Sequence, residues 1–394
     1  MQEPARQLTL MALLLAFASG CQTGMSGITG GLFEESPEEP AVEPVPEEWY
    51  LDAGIVRFKG EIDQKEVAEG DVFPQVRKAE TLYFPQQLRQ AMLRGGGWRH
   101  VWVVPERAVP DLRIEGAILK SNGSELDLKI LATDSTGEPW LDRVYRHEFS
   151  ETDYAGEDRA RPMEALFDQI AKDLLLERDR KGVAAMKEIC AVAELRFAEE
   201  FAPQAFERYV NEDKGRTRLV SLPAEEDRLY QLVLQIKERD DLFIETLQQY
   251  SEGFSEKIDA SYRDWARQSF YERRAHDEGV STSVAQGLLS ALAIIGGIVV
   301  AADSGSTPEA RQLGQVLVGA GAYGAYDAYQ DYEATEIHEA ALKELGQSLD
   351  LEVEPQVVQV ENQTRTLTGS VEDQYQQWHE ILNEIYLSER GGLN

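Results

Sequence analysis

The chain has 394 residues, enough for two or three domains with their own cores. Its 71 acidic residues against 39 basic give a formal net charge of −32. Such a surface repels phosphate backbones and anionic headgroups, so nucleic acid is not an expected partner.

The first predicted element is a leader over residues 1–20. Arg6 precedes an apolar run from Leu8 to Ala18, too short for a permanent membrane span and followed by small residues, as in a secretory signal peptide. Ala18-Ser19-Gly20 leads directly into Cys21. That junction resembles the signal of bacterial lipoproteins, with Ala18 standing where the family favours Leu. The resemblance implies that the leader is removed and that Cys21 becomes the lipid-acylated first residue. Gln22 after it implies sorting to the outer membrane, with the protein facing the periplasm. An ordinary signal peptidase cut after Gly20 fits the same small residues. With Cys21 acylated, Cys190 has no partner in the chain, and no structural disulfide is expected. Within Met186-Lys-Glu-Ile-Cys-Ala-Val it reads as a small apolar residue on a buried helix face.

Residues 21–48 read as the lipidated Cys and a tether. Its second half, Glu34 to Glu48, holds seven Glu, four Pro and no basic residue, a composition that stays extended and self-repelling. From Trp49 the pattern turns to strands. Apolar and β-branched runs predict strands at 51–58, 98–104, 112–119, 125–132 and 139–149. A helix is expected over 82–93, with Pro85 in its first turn and Gly95-Gly96-Gly97 as its stop. Asn122-Gly123 and Asp134 to Gly137 supply hairpin turns. A helix over 163–176, apolar at Leu166, Ile170 and Leu174, closes a domain over 49–178. That domain is expected to close its own core.

The order β-α-β-β-β-β-α, with Pro110-Asp-Leu-Arg-Ile-Glu-Gly-Ala-Ile ahead of a Gly-turned hairpin, resembles a small α/β domain shared by several cell-envelope proteins. These are the amino-terminal domain of the Tol-system propeller protein, the curli-secretion lipoprotein and the lipoproteins that activate peptidoglycan synthases. The resemblance implies a binding or assembly module and assigns no individual site residue.

A mainly helical domain is expected over 179–350. Phe243, Leu247, Tyr250, Phe254, Ile258, Tyr262 and Trp265 recur at spacings of three and four, the stripe of a long amphipathic helix over 224–278 with Gly253 as its candidate break. The stripe reads as packing surface rather than a cofactor site. Val284 to Ala302 carries no charge over 19 residues, and a Gly/Ala-rich stretch follows, so that 284–326 is read as an apolar helical hairpin. Gly319, Gly321 and Gly324 are its candidate helix-packing or oligomer-interface residues, since small side chains let helices approach closely. The hairpin fits a buried core, the favoured reading, or a membrane or oligomer role. A further helix is expected over 337–349, and the tail, 351–394, is expected to hold two strands, 352–360 and 365–369, around Glu361-Asn362 and a last helix over 371–388. The fold class expected is thus α+β.

No catalytic signature emerges. The five His form no metal pair, and Gly95-Gly96-Gly97 lacks the Lys and Ser/Thr of a phosphate loop. Glu225-Glu226 and Asp240-Asp241 read as solvated helix faces in so acidic a chain. No cofactor, metal or enzymatic activity is expected. The expected partners are a membrane, through the lipid anchor, and an envelope protein or further copies of the chain.

Overall fold

The computed structural model describes residues 45–63, 65, 72–155, 162–277, 295, 355–360 and 363–392. After one 3-10 turn, strand β1 (Asp52–Val56) is followed by the two-residue β2 (Lys59–Gly60) and helix α1 (Pro74–Gly95). Then come β3 (His100–Val104), β4 (Leu112–Ser121), β5 (Glu125–Asp134) and β6 (Pro139–Glu148). These strands form one mixed sheet in the order β3-β1-β4-β5-β6, with β2 also on β4. β1 lies between β3 and β4 and is parallel to both, whereas β4, β5 and β6 form an antiparallel meander. The fold is mixed, a mixed sheet set among long helices.

The turns follow their side chains. Asn122 Oδ1 accepts from the backbone N–H groups of Ser124 and Glu125 at 3.0 and 2.9 Å, closing the β4–β5 hairpin. Asp134 does the same for Thr136 and Glu138 in the β5–β6 turn. Along β5, Leu126, Leu128, Ile130 and Ala132 are buried on one face. The other face carries cross-strand ion pairs such as Lys129–Asp142 (3.1 Å) and Asp127–Arg146 (3.3 Å), which mark it as the wet side.

α1 starts well before the expected residue 82, because Pro74 sits in its first turn and Pro85 falls inside it. Pro85 has no N–H for the carbonyl of Thr81, and the backbone N–H of Phe58 takes that carbonyl at 3.0 Å. The link between β1 and β2 thereby lets the helix tolerate an interior proline. Gly96, at φ 68°, ends the helix by donating to the Met92 carbonyl at 3.0 Å, as expected of the glycine run.

Helix α2 (Glu164–Phe201) runs far past the end expected at 176 and turns at Gly182. The boundary expected at 178 therefore lies inside this helix. The hairpin of β7 (Val210–Asp213) and β8 (Arg216–Leu219) interrupts a stretch expected to be helical. Lys214 and Gly215 both have positive φ, the requirement of its tight turn. Helix α3 (Arg228–Asp277) spans 50 residues, unbroken at Gly253, contrary to the expectation. A lone glycine costs about 1 kcal/mol in a helix, too little to break one held by packing along its length. Beyond it, β9 (Gln356–Val360) and β10 (Gln363–Leu367) pair antiparallel, and α4 (Val371–Gly391) closes the described chain behind a Ser370–Asp373 capping box.

Two cores result. The first lies between the inner face of the sheet, α1, the first half of α2 and the C-terminal half of α3. Residues 49–178 do not close it alone, since Ile258, Tyr262, Trp265, Ala266 and Phe270 of α3 complete it. The second joins Val56, Val104 and Ala108 to the second half of α2, the N-terminal half of α3, and α4. Of the expected stripe, Phe243, Leu247, Ile258, Tyr262 and Trp265 are buried. Tyr262 packs on Tyr83 with ring centroids 4.7 Å apart, and Trp265 meets Phe73 edge-on at 6.3 Å.

Candidate functional site

Chemistry gathers where the starts of β1, β3 and β4 meet α3. The register pairs Asp52 with His100 and Ala53 with Leu112, which sets Asp111 beside Asp52. The segment between β3 and β4 must cross back over β1 to keep the strands parallel. It crosses at Gly54, where a Cβ would lie 2.8 Å from both Pro110 and Val104. Only glycine leaves room for that crossing.

Asp52 and Asp111 are both buried. The Asp52 backbone N–H donates to Asp111 Oδ2 at 2.8 Å. Arg99 clamps the pair: its Nε and Nη2 donate to Asp52 Oδ1 and Oδ2 at 2.9 and 2.6 Å, and Nη2 reaches Asp111 Oδ2 at 3.0 Å. His100 stacks on Trp102 at 4.6 Å and places Nδ1 2.8 Å from Asp52 Oδ1. Burial works against ionisation of Asp52, but Arg99 and its neighbours outweigh it and hold the carboxyl below the ordinary range. For Asp111 the balance reverses. Burial, reinforced by the charge of Asp52, pushes its pKa up to about 6. Cys190 is half-buried, with Sγ 3.7 Å from Asp111 Oδ2. Burial and that carboxylate push its thiol up to about 12, so it is no thiolate nucleophile at neutral pH.

Helix α3 supplies the facing wall. Lys237 Nζ donates to both oxygens of Asp241 at 2.9 Å. Burial opposes the ammonium, yet Asp241 more than restores it and raises its pKa. Asp240, only 3 % exposed, accepts a hydrogen bond from the Tyr375 hydroxyl of α4 at 3.0 Å on Oδ2. Its Oδ1 has no hydrogen-bond partner. Burial pushes this carboxyl up to about 7. Asp52, Asp111, Lys237, Asp240 and Asp241 line a cleft whose apolar walls include Trp102, Phe197 and Ile244. Its free space is about 20 Å³, room for one water.

Two engaged cations thus serve three of the four carboxyls, Arg99 on Asp52 and Asp111 and Lys237 on Asp241, while Asp240 is held by the Tyr375 hydroxyl. The arrangement can hold and release protons near neutrality, and it joins the sheet to the helices. Among the described residues no group of three or more side chains could bind a metal ion. The candidate residues read from the sequence, Cys21, Gly319, Gly321 and Gly324, lie outside the described residues, as does the 284–326 hairpin apart from Ile295. Ile295 is fully buried and belongs to the first core. Asp240-Asp241 is not a solvated face, because one of the two is buried in the cleft. Asp52 carried a signal of its own, a charge inside an apolar strand. Asp111, Arg99 and Lys237 had none, since only the strand register and the path of α3 bring them together.

Comparison of the chain with family models, curated proteins and solved structures returns no match.

Proposed function

We propose that the chain is a lipid-anchored binding or assembly protein of the bacterial cell envelope, held at the outer membrane and facing the periplasm. The observation that carries this reading is Cys21 behind its short apolar leader, followed by an acidic, Pro-rich tether. The folded body takes up the chain at Val45, which is already buried in the first core. A tether of that length would let the body reach a partner away from the membrane surface. The cleft supports a binding rather than a catalytic role. It offers space for a single water, its thiol is neutral, and its charged groups are mostly spent on one another.

In the alternative reading the 284–326 hairpin inserts into a membrane or lines a pore. Its one described residue, Ile295, lies in the first core and favours packing inside the body. Among the described residues no helix is long and apolar enough to cross a membrane.

Fractionation of cells carrying Cys21→Ser tests the reading. Acyl chains contribute about 0.8 kcal/mol per buried CH₂, so their loss should release the protein into the periplasm. Retention of the variant in membranes would favour the inserting hairpin. An unmodified Cys21 in the mass spectrum of the mature protein would refute the anchor.

A further inference from the structure

We propose that Asp240 is a proton-operated latch: protonated, it seats the C-terminal helix α4 on α3, and loss of the proton loosens α4 from the body. The geometry isolates this carboxyl. On its own helix, Lys237 is engaged by both oxygens of Asp241. From the sheet side, Asp52 and Asp111 face the cleft and share Arg99. From α4 come the Tyr375 hydroxyl and His379, whose Nε2 lies 2.7 Å from Glu200 Oε2 on α2. Lys237 and Arg99 therefore already serve other acids. An ionised Asp240 would be a buried charge with one neutral donor and an unpartnered oxygen, a costly state.

The same contact is a buried polar tie between α3 and α4. Beside it, the two helices share the apolar packing of the second core, including the Phe243–Trp378 stack at 4.9 Å, and the partly exposed Arg239–Glu389 pair at 3.2 Å. The cost of ionisation therefore falls on the seating of α4. The cleft gives the proton its route, because Asp240 lines it and it has room for a water. Burial sets the transition near neutrality, at about 7. A carboxyl whose folded pKa is raised binds its proton more tightly folded than unfolded. Its stabilising effect is therefore complete at low pH and lost as pH rises through the folded value.

Hydrogen exchange of the full chain, corrected for intrinsic rates, tests the latch. Between about pH 6 and pH 8, protection of residues 371–391 should fall by about tenfold relative to β5, levelling off above about pH 7. Asp240→Asn keeps an acceptor for Tyr375 without the charge and should hold α4 equally protected at both pH values. Wild-type protection that ignores pH, or a variant that still loses it, overturns the proposal. Should the variant not fold, infrared titration of the wild-type carboxyl decides. A protonated-carboxyl band lost in step with α4 protection supports the latch. The absence of any band titrating in that window overturns it.

Discussion

The two halves of α3 bury acids in opposite ways. The C-terminal half packs over Glu80 of α1, which is fully enclosed but well supplied with donors. Arg77 Nε lies 3.1 Å from it, the Tyr262 hydroxyl donates at 2.8 Å, and Ser121 Oγ donates as well. The N-terminal half buries Asp240 with Tyr375 as its one donor. Burial raises the pKa of both carboxyls, Glu80 included, despite its partners. What differs is the support for the ionised form. Glu80 has a cation in contact and a complete shell, whereas the cation nearest Asp240 is bound to Asp241. The chemical nature of a buried acid says little about its behaviour; the donors brought to it by other elements decide.

The largest effect should come from stripping the better-supported half. Arg77→Met would leave Glu80 buried with no counter-ion, and loss of one partner of such a pair costs about 3–5 kcal/mol. Urea denaturation should show it. A loss no greater than that of an exposed substitution would mean that Glu80 is neutral in the fold and that the two halves are alike.

Next is the pH dependence of stability. Asp111 and Asp240 rise from the ordinary 3.8 to about 6 and about 7, so the folded chain holds more protons than the unfolded chain across that window. Stability should therefore decline from about pH 4 to pH 7, by on the order of 3 kcal/mol for each group at most. Asp52 works in the opposite direction, because its lowered pKa adds stability that is lost only in acid. Denaturation midpoints followed across this range check the sign, and midpoints that rise with pH would contradict the burial argument.

A smaller effect is expected from Arg99→Met, which removes the clamp on Asp52 and Asp111. Arg99 is partly exposed, so water can replace some of its hydrogen bonds, and a loss of about 1–3 kcal/mol is expected. The pH dependence should sharpen with it, since Asp52 then loses the neighbour that keeps it ionised. An unchanged titration would show that the backbone, rather than Arg99, sets the charge state of the pair.

The smallest change tests whether the halves of α3 are mechanically joined. Nothing lies within 4 Å of a Cβ at Gly253, so Gly253→Ala should stabilise the protein by about 0.5–1 kcal/mol through helix propensity alone. Thermal unfolding should keep a single transition. Destabilisation would mean that the helix needs to flex there and that the halves move separately.

Much of the sheet was legible because local signals agreed. Period-two alternation marked β5, Asn122-Gly123 and Asp134 to Gly137 marked the turns, and Gly95-Gly96-Gly97 marked the end of α1. The tail hairpin and α4 were legible for the same reasons. The misplaced start of α1 has a physical cause: Pro85 reads as a helix start, and only the backbone N–H of Phe58, between β1 and β2, donating to the freed carbonyl makes it tolerable inside. The β7–β8 hairpin was missed because Lys214-Gly215 is a weaker turn signal than Asn-Gly. The unbroken α3 was missed because packing offsets the cost of one glycine.

By itself the sequence determined what depends on near neighbours along the chain: the acidic character, the apolar run ahead of Cys21, the acidic Pro-rich composition after it, the turns and most strands. Tertiary structure alone decided which acids are buried and which cations answer them. Asp52, Arg99 and Asp111 meet through parallel strand pairing, and Asp240 meets Tyr375 through the packing of two helices that are far apart in sequence. A charge keeps or loses its proton according to its desolvation and its partners in space, and neither can be read from the residues beside it in the chain.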